Sequence, residues 1–228
     1  MIDPETQQKT AAAAAAAALV EPGMAVGLGT GSTAALAIDA LGSRVAAGLR
    51  ITAIPTSERS AAQARRLGIP LTDFAARTRL DLTIDGADQI ARGSLALIKG
   101  LGGALLREKI VAAASDRLVI VADARKLVAQ LSGVVPVEVV AFGIEATARR
   151  LAALGASVVR RHGPDGAAFV SDGGNPILDC DFPPIDDPVA LETALRGIVG
   201  VIATGLFLDL TALALVAGPQ GVTQLTPA

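Results

Sequence analysis

Residues 24–33 read Met24-Ala25-Val26-Gly27-Leu28-Gly29-Thr30-Gly31-Ser32-Thr33. The first half of this stretch is an apolar run typical of a buried strand, and the residues from Ala34 to Leu41 have the pattern of a helix. Backbone N–H groups and hydroxyls in a glycine-rich loop before a helix suit a phosphate monoester or sugar hydroxyls. The stretch therefore predicts a strand, a ligand-binding loop and a helix, with a tight turn that binds nothing as the alternative.

The loop departs from the two best-known nucleotide motifs. Ser32 stands where G-x-G-x-x-G has its third glycine, and no acidic residue ends the next strand to hold a ribose. A Walker A loop would need a Gly-Lys pair before Ser32, which is absent from the sequence. A phosphate or a sugar phosphate is a better match than a dinucleotide.

Further apolar runs alternate with helical patterns along the first part of the chain. The alanine-rich run that ends before Glu21 predicts a helix, since alanine is the best helix former. The strands are predicted at residues 50–54, 80–84, 94–98 and 118–122, with a helix at 57–67. This alternation predicts an α/β fold, a mainly parallel Rossmann-like sheet flanked by helices, whose ligands bind where strands end and loops begin.

The pattern changes after about Leu131. Predicted elements at residues 134–140, 144–154, 157–161, 167–171, 176–180, 188–196 and 200–202 indicate a second, smaller ferredoxin-like α+β domain. From about Gly205 the chain is expected to return to the first domain. The predicted domains are therefore residues 1–131 plus 204–228, which form the Rossmann-like catalytic domain, and residues 132–203, which form the small domain.

Composition excludes several classes of function. The formal net charge is −2 and the chain has no Trp or Tyr, so neither a basic surface nor stacking platforms point to nucleic acid. The apolar run from Ala11 to Val20 is shorter than the roughly 20 residues that cross a membrane, and Asp3 and Glu5 do not suit a secretory signal. We expect a cytoplasmic protein with a small-molecule partner, no nucleic acid and no membrane.

Metal and disulfide chemistry are also disfavoured. Cys180 is the only cysteine and His162 the only histidine, so neither can form the usual transition-metal cluster with another residue of its type. Both fall in the predicted small domain, far from the glycine loops, and are expected to be structural. No metal and no organic cofactor are predicted.

Two acidic or glycine-rich stretches follow predicted strands. They are Asp85-Gly86-Ala87-Asp88 and Lys99-Gly100-Leu101-Gly102-Gly103. If both lie at one edge of the sheet, two carboxylates and an ammonium surround a small polar ligand, and the glycines let backbone N–H groups approach it. The alternative for the first stretch is an Asx-type turn with both carboxylates solvated.

Glu108 is the predicted catalytic base. On the helix expected over residues 103–114, its neighbours three and four positions away are small or apolar, namely Ala104, Leu105, Val111 and Ala112. Desolvation on such a face would raise the pKa of a carboxyl towards the working range of a base. The alternative is an exposed glutamate paired with a cation. Lys126, after the 118–122 strand, either reaches the same sheet edge or is a solvated lysine.

Taken together, these motifs resemble ribose-5-phosphate isomerase type A. The resemblance is carried by Gly29 to Thr33, Asp85 to Asp88, Lys99 to Lys109, Asp123-Ala124-Arg125-Lys126, Pro136-Val137-Glu138-Val139, Gly174-Asn175-Pro176-Ile177-Leu178-Asp179 and Gly205-Leu206-Phe207. Several motifs in the same order are far more specific than any one alone. The sequence departs from the family at Leu101, where glycine is usual, and this side chain either tightens the pocket or points into the core.

The resemblance implies an aldose-ketose isomerase that interconverts D-ribose 5-phosphate and D-ribulose 5-phosphate without a metal, as a homodimer or homotetramer in the non-oxidative pentose phosphate pathway. It implies Glu108 as proton acceptor, with Asp85, Asp88 and Lys99 as the other catalytic residues. The implied substrate-binding residues are Thr30, Gly31, Ser32, Thr33, Asp85, Gly86, Ala87, Asp88, Lys99, Gly100, Leu101, Gly102 and Lys126.

Two other functions compete with this interpretation. A sugar-phosphate sensor of a transcription regulator would need a DNA-binding module, for which the chain has neither room nor a basic helix. A lactonase or an amino-sugar deaminase is a nearer rival. The ordered aspartate, lysine and glutamate motifs weigh against both.

Overall fold

The computed structural model describes residues 3–228 and forms three sheets. The largest has the order β14-β13-β6-β3-β1-β2, and all its neighbouring strands are parallel except β14 against β13. Its strands are β1 (Ala25–Leu28), β2 (Thr52–Pro55), β3 (Leu82–Asp85), β6 (Leu118–Asp123), β13 (Thr211–Gly218) and β14 (Gly221–Leu225). The predicted mainly parallel α/β sheet is confirmed.

Helices cover both faces of this sheet. The helices are α1 (Pro4–Ala18), α2 (Ser32–Ala46), α3 (Glu58–Arg66) and α4 (Leu105–Ala113). Successive strand residues point to opposite faces, so Val119 and Val121 pack with α1 and α2, whereas Leu118 and Ile120 pack with Ala112 of α4. Both faces are therefore buried, as expected for parallel strands.

The alanine run forms a tightly packed helix that begins earlier than the run itself. Asp3 caps α1 by accepting the Thr6 N–H at 3.0 Å, and Pro4 occupies the first turn, where its missing N–H costs nothing. Ala12, Ala13, Ala16 and Ala17 are buried along one face. Alanine here allows close approach to the sheet as well as helix formation.

The second sheet confirms the small ferredoxin-like unit. It has the order β11-β8-β10-β9 with every neighbouring pair antiparallel, which is the order expected for β-α-β-β-α-β. The elements are β8 (Gly133–Val139), α5 (Ile144–Ala152), β9 (Ser157–Arg160), β10 (Ile177–Phe182), α6 (Pro188–Arg196) and β11 (Val201–Thr204). The strand predicted at 167–171 is wrong. Only isolated bridges form there, His162↔Ala168 and Val170↔Pro176, because turns at Gly166 and Gly174 interrupt the ladder.

A third sheet was not predicted. It has the order β12-β5-β4-β7 and consists of β4 (Gln89–Ala91), β5 (Leu97–Ile98), β7 (Leu127–Val128) and β12 (Leu206–Phe207). The strand expected at 94–98 in the parallel sheet is instead β5, antiparallel to β4, because Gly93 turns the chain back at a φ of +84°. Lys99 therefore reaches the site from this third sheet.

The domain boundaries at 131/132 and 203/204 stay predictions, and residues 1 and 2 of the first predicted domain lie outside the described residues. One hydrophobic cluster crosses these boundaries, since Ala91, Ile98 and Leu206 pack with Val135 and Val137. None of the described helices combines the length and apolarity that a membrane crossing requires.

Candidate active site

The glycine-rich loop after β1 presents hydroxyls and backbone N–H groups at the start of α2. Gly31 is the N-cap of α2 and has a φ of +125°, which favours glycine, and Ser32 and Thr33 begin the helix. The Thr30 hydroxyl lies 2.7 Å from the hydroxyls of both Thr56 and Ser57. This loop therefore combines a helix N-terminus with a fixed hydroxyl cluster, an arrangement suited to an anion.

Asp85 lies at the end of β3 and is fully buried. Its Oδ1 accepts the N–H groups of Thr30 at 3.0 Å and Gly86 at 2.7 Å. A Cβ on Gly29 would overlap the Asp85 side chain, so glycine is required there by close approach. The alternative of a solvated Asx turn is wrong for Asp85, because its buried carboxylate connects the first loop to the end of β3.

Lys99 connects the two glycine-rich stretches to the helix of Glu108. Its Nζ lies 3.0 Å from Asp85 Oδ2 and 3.3 Å from Glu108 Oε1, and it donates to the Gly86 carbonyl at 2.6 Å. All three side chains are almost completely buried. The structure therefore brings together one ammonium and two carboxylates that are separated in sequence.

Burial shifts the ionisation of this group. It raises the pKa of Glu108 to about 8, Lys99 opposes that rise, and the nearby Asp85 and Asp88 add to it. Burial alone would lower the pKa of Lys99, but Asp85 and Glu108 raise it above its ordinary value. The site therefore combines a charged ammonium with two carboxyls whose pKa values are raised by burial.

Glu108 occupies a small, apolar face of α4, as predicted. Leu105, Val111 and Ala112 are buried beside it, so the alternative of an exposed glutamate is wrong, although Glu108 does lie beside a cation, Lys99. Its Oε1 faces Lys99, whereas its buried Oε2 has no hydrogen-bond partner among the described residues. One carboxylate oxygen is thus held by the protein while the other is unpaired among the described residues, and Glu108 lines the cavity described next.

The cavity beside Glu108 contains most of the predicted binding residues. It is lined by Thr30, Gly31, Ser32, Thr33, Gly86, Ala87, Asp88, Lys99, Gly100, Gly102, Glu108 and Lys126. Lys126, which follows β6 in a 3₁₀ turn, reaches the same cavity from the carboxyl end of that strand. The carboxyl ends of β1, β3 and β6 thus meet around one site, as expected for a parallel sheet.

Two predicted binding residues lie outside the lining. Asp85 lies buried behind the Lys99 ammonium, and Leu101 is 51% exposed. Both expectations for Leu101, that it tightens the pocket or points into the core, are wrong. The loop turns at Gly100, whose φ is +100°, and only the Leu101 N–H faces inward, donating to Asp88 Oδ2 at 3.0 Å.

Sequence reasoning missed the hydroxyl cluster of Thr56, Ser57 and Ser60. Ser60 donates to the Gly29 carbonyl at 2.7 Å, so the cluster supports the first glycine loop. The available signal was the Thr56-Ser57 pair directly after β2, at the same sheet edge as the other motifs. Ser57 also caps α3, accepting the Ser60 N–H at 3.1 Å.

Cys180 and His162, which were expected to be structural, lie outside the cavity. Cys180 is buried in β10, where burial raises the pKa of its thiol to about 12, and His162 forms an isolated bridge with Ala168 after β9. No group of three or more metal-ligating side chains occurs within residues 3–228.

The fold and the cavity define an α/β protein that binds a small anionic ligand at the carboxyl ends of parallel strands. The profile of one family, ribose 5-phosphate isomerase A (phosphoriboisomerase A), matches residues 52–221. The chain belongs to this family.

Individual relatives agree over nearly the whole chain. The ribose-5-phosphate isomerase A of Gloeobacter violaceus is 57% identical over 221 residues, 96% of each chain, and that of Gluconobacter oxydans is 55% identical over 228 residues, 99% of this chain and 98% of the relative. A ribose 5-phosphate isomerase A structure from Methanocaldococcus jannaschii has a TM-score of 0.92 at 37% identity, covering 96% of this chain and 98% of its own. A D-ribose-5-phosphate isomerase in complex with phospho-erythronic acid has a TM-score of 0.94 at 35% identity, covering 98% and 100%.

Proposed function

We propose that this protein interconverts D-ribose 5-phosphate and D-ribulose 5-phosphate through an enediolate, with Glu108 as the proton acceptor. The observation that carries the proposal is the buried Glu108 carboxyl, whose Oε1 lies 3.3 Å from Lys99 Nζ and whose Oε2 has no partner in the described part of the chain. Family membership supports the substrate, since the relatives are named for it.

The reaction moves a carbonyl between C1 and C2. A base must remove a proton from C2 of the open-chain aldose and return it to C1, while negative charge develops on the oxygens of the enediolate. The raised pKa of Glu108, about 8, suits a group that alternately takes up and gives back a proton near neutral pH. Its free oxygen, Oε2, is the atom assigned to this transfer.

Lys99 and the N–H groups of its glycine loop are assigned to the developing oxyanion. A preorganised ammonium in a buried site stabilises charge more strongly than water does. Lys99 is already oriented by Asp85 and by the Gly86 carbonyl, so it needs little rearrangement in the transition state. Asp85 therefore acts in this proposal mainly by positioning Lys99.

Asp88 lines the cavity and is assigned to the sugar hydroxyls and to ring opening. The phosphate is assigned to the loop from Thr30 to Thr33, at the N-terminus of α2, with Lys126 as a further cation. Ala87, Gly86, Gly100 and Gly102 complete the lining without side chains that would obstruct the substrate.

A direct assay tests this function. Ribose 5-phosphate is added to the purified chain and ketopentose formation is followed, with ribose lacking the phosphate as a control substrate. Rapid formation of ketopentose from the phosphate ester alone is expected, and no ketopentose above the rate without protein would contradict the proposal.

The proposal also covers the metal requirement, subunit number, location and pathway of the enzyme. We propose a metal-independent homodimer or homotetramer that acts in the cytoplasm, in the non-oxidative pentose phosphate pathway. Light scattering of the purified protein tests the subunit number, and a monomer at working concentration would contradict it.

A further inference from the structure

Arg161 of the small unit contacts the glycine loop of the site. It directly follows β9, and its side chain is only 11% exposed. Its Nε donates to Asp179 Oδ2 at 2.9 Å and its Nη2 donates to Asp179 Oδ1. Two of the three guanidinium nitrogens are therefore fixed by one carboxylate, a geometry that lysine cannot reproduce.

The remaining nitrogen holds two successive carbonyls of the glycine loop. Arg161 Nη1 donates to the Gly100 carbonyl at 2.8 Å and to the Leu101 carbonyl at 3.2 Å. The guanidinium also lies 5.8 Å from the centre of the Phe169 ring, and that ring fills the space where a side chain at Gly103 would lie. The small unit thus holds this loop on its outer side.

These two bonds, together with the Gly103 N–H that donates to the Gly100 carbonyl at 2.9 Å, set the direction of the loop N–H groups. In a trans peptide the N–H of one residue points opposite to the carbonyl of the residue before it. Because the Gly100 carbonyl points to Arg161, the Leu101 N–H points away from it and reaches Asp88 Oδ2 at 3.0 Å. Because the Leu101 carbonyl also points to Arg161, the Gly102 N–H points away as well. Gly102 lines the cavity, and its N–H meets no acceptor within residues 3–228.

We propose that Arg161 is a positioning residue for the isomerase reaction: by holding the Gly100 and Leu101 carbonyls, it directs the Gly102 N–H towards the substrate oxyanion and the Leu101 N–H to Asp88. The inference rests on the proposed function. It assigns a role to the Gly174 to Asp179 motif, since Asp179 fixes the guanidinium that performs this task.

The test compares Arg161→Gln with Arg161→Lys and with Arg160→Gln, a matched control that removes an exposed arginine from the neighbouring position. For Arg161→Gln we expect kcat to fall about 10- to 100-fold, because a misdirected oxyanion donor loses much of its effect. KM should change less than about threefold, since the phosphate loop is untouched. Arg161→Lys should recover part of the loss, because an ammonium can still donate to one carbonyl.

A second readout does not depend on turnover. Phospho-erythronate carries an anionic, planar carboxylate where the substrate would form its enediolate, so its affinity reports on the oxyanion donors. We expect Arg161→Gln to weaken phospho-erythronate binding about as much as it lowers kcat/KM. The amide NMR signals of Leu101 and Gly102 should shift in this variant and stay unchanged in Arg160→Gln.

Several results would overturn the positioning role. They are an unchanged kcat in folded Arg161→Gln, a rise in KM alone, or unchanged amide signals for Leu101 and Gly102. If Arg161→Gln does not fold, Asp179→Asn serves instead, with the same direction of change expected and an unchanged kcat as the contrary result. Failure of the proposed function itself is distinguishable, since it would show as an inactive wild-type protein.

Discussion

The Nζ atom of Lys99 lies 3.3 Å from Oε1 of Glu108, in a place where both side chains are almost inaccessible to solvent. Lys99 also lies 3.0 Å from Asp85, so one cation serves two buried carboxylates. Asp85 has two further donors, the N–H groups of Thr30 and Gly86, whereas Glu108 has no further donor within residues 3–228. Burial raises the pKa of both carboxyls, so the cluster can take up a proton, and Glu108 is the one of the two whose side chain lines the cavity.

The first prediction concerns the pH dependence of kcat/KM. Because burial raises the pKa of Glu108 to about 8 and only the carboxylate can accept a proton, activity should fall as pH drops below that value. The acidic limb of the profile should centre within about one unit of pH 8. Steady-state rates from pH 6 to 10 measure it, and a profile that stays flat from pH 6 to 9 would disagree with the assignment.

The second prediction concerns Lys99→Met. Removing the ammonium leaves Asp85 and Glu108 buried without their cation, and breaking a buried ion pair costs about 3–5 kcal/mol of unfolding free energy. The double variant Lys99→Met/Glu108→Gln should regain part of this loss, because it removes one of the two stranded carboxylates. Urea unfolding measures both, and equal stability of the wild type and the single variant would count against the buried triad.

The loss in Lys99→Met should also increase with pH. Without the ammonium, the pKa values of the two buried carboxyls rise further above those of the unfolded chain, about 4. Between those values the native state binds more protons than the unfolded state, so its stability falls as pH rises. The difference in unfolding free energy between the wild type and Lys99→Met should therefore be larger at pH 9 than at pH 5. A larger difference at pH 5 would contradict this prediction.

The third prediction concerns Leu101→Gly. The Leu101 side chain is half exposed and outside the cavity lining, and only its backbone N–H takes part in the site. Surface substitutions of this kind usually change stability by no more than about 0.5 kcal/mol. We expect kcat and KM within about twofold of the wild type. A tenfold change in either constant would mean that the side chain contacts the substrate.

The fourth prediction concerns metal ions. The proposed mechanism assigns charge stabilisation to Lys99 and to backbone N–H groups, so divalent cations have no role in it. Activity should be the same before and after dialysis against EDTA. If activity disappeared on chelation and returned with a divalent ion, the assignment of the oxyanion to Lys99 would need revision.

Elements with a strong local signal could be predicted from the sequence. The helix predicted at residues 188–196 has the observed bounds Pro188–Arg196, and in the structure Asp187 caps it while Pro188 occupies its first turn. The small apolar face around Glu108 followed from helical spacing alone. Motif order along the chain located nearly all residues that line the cavity, since parallel strands bring their carboxyl ends to one edge.

Features that depend on long-range contacts could not be predicted. The hairpin of β4 and β5 is short and lacks a run of β-branched residues, so the third sheet was missed. The burial of Asp85 depends on Gly29, which lies against it from the end of the neighbouring strand. The local sequence around Asp85 indicates only a turn. The contact of Arg161 with Gly100 joins residues that are 61 positions apart. The spacing of apolar residues along the sequence cannot predict a contact between residues so far apart.

The most direct test of the account is the turnover of Glu108→Gln. The substitution keeps the shape of the side chain and removes the base, so binding of phospho-erythronate should persist while kcat falls by at least about two orders of magnitude. Glu145→Gln, on an exposed face of α5, is the matched control and should keep wild-type kcat. A Glu108→Gln protein that isomerises ribose 5-phosphate at close to the wild-type rate would contradict the central claim.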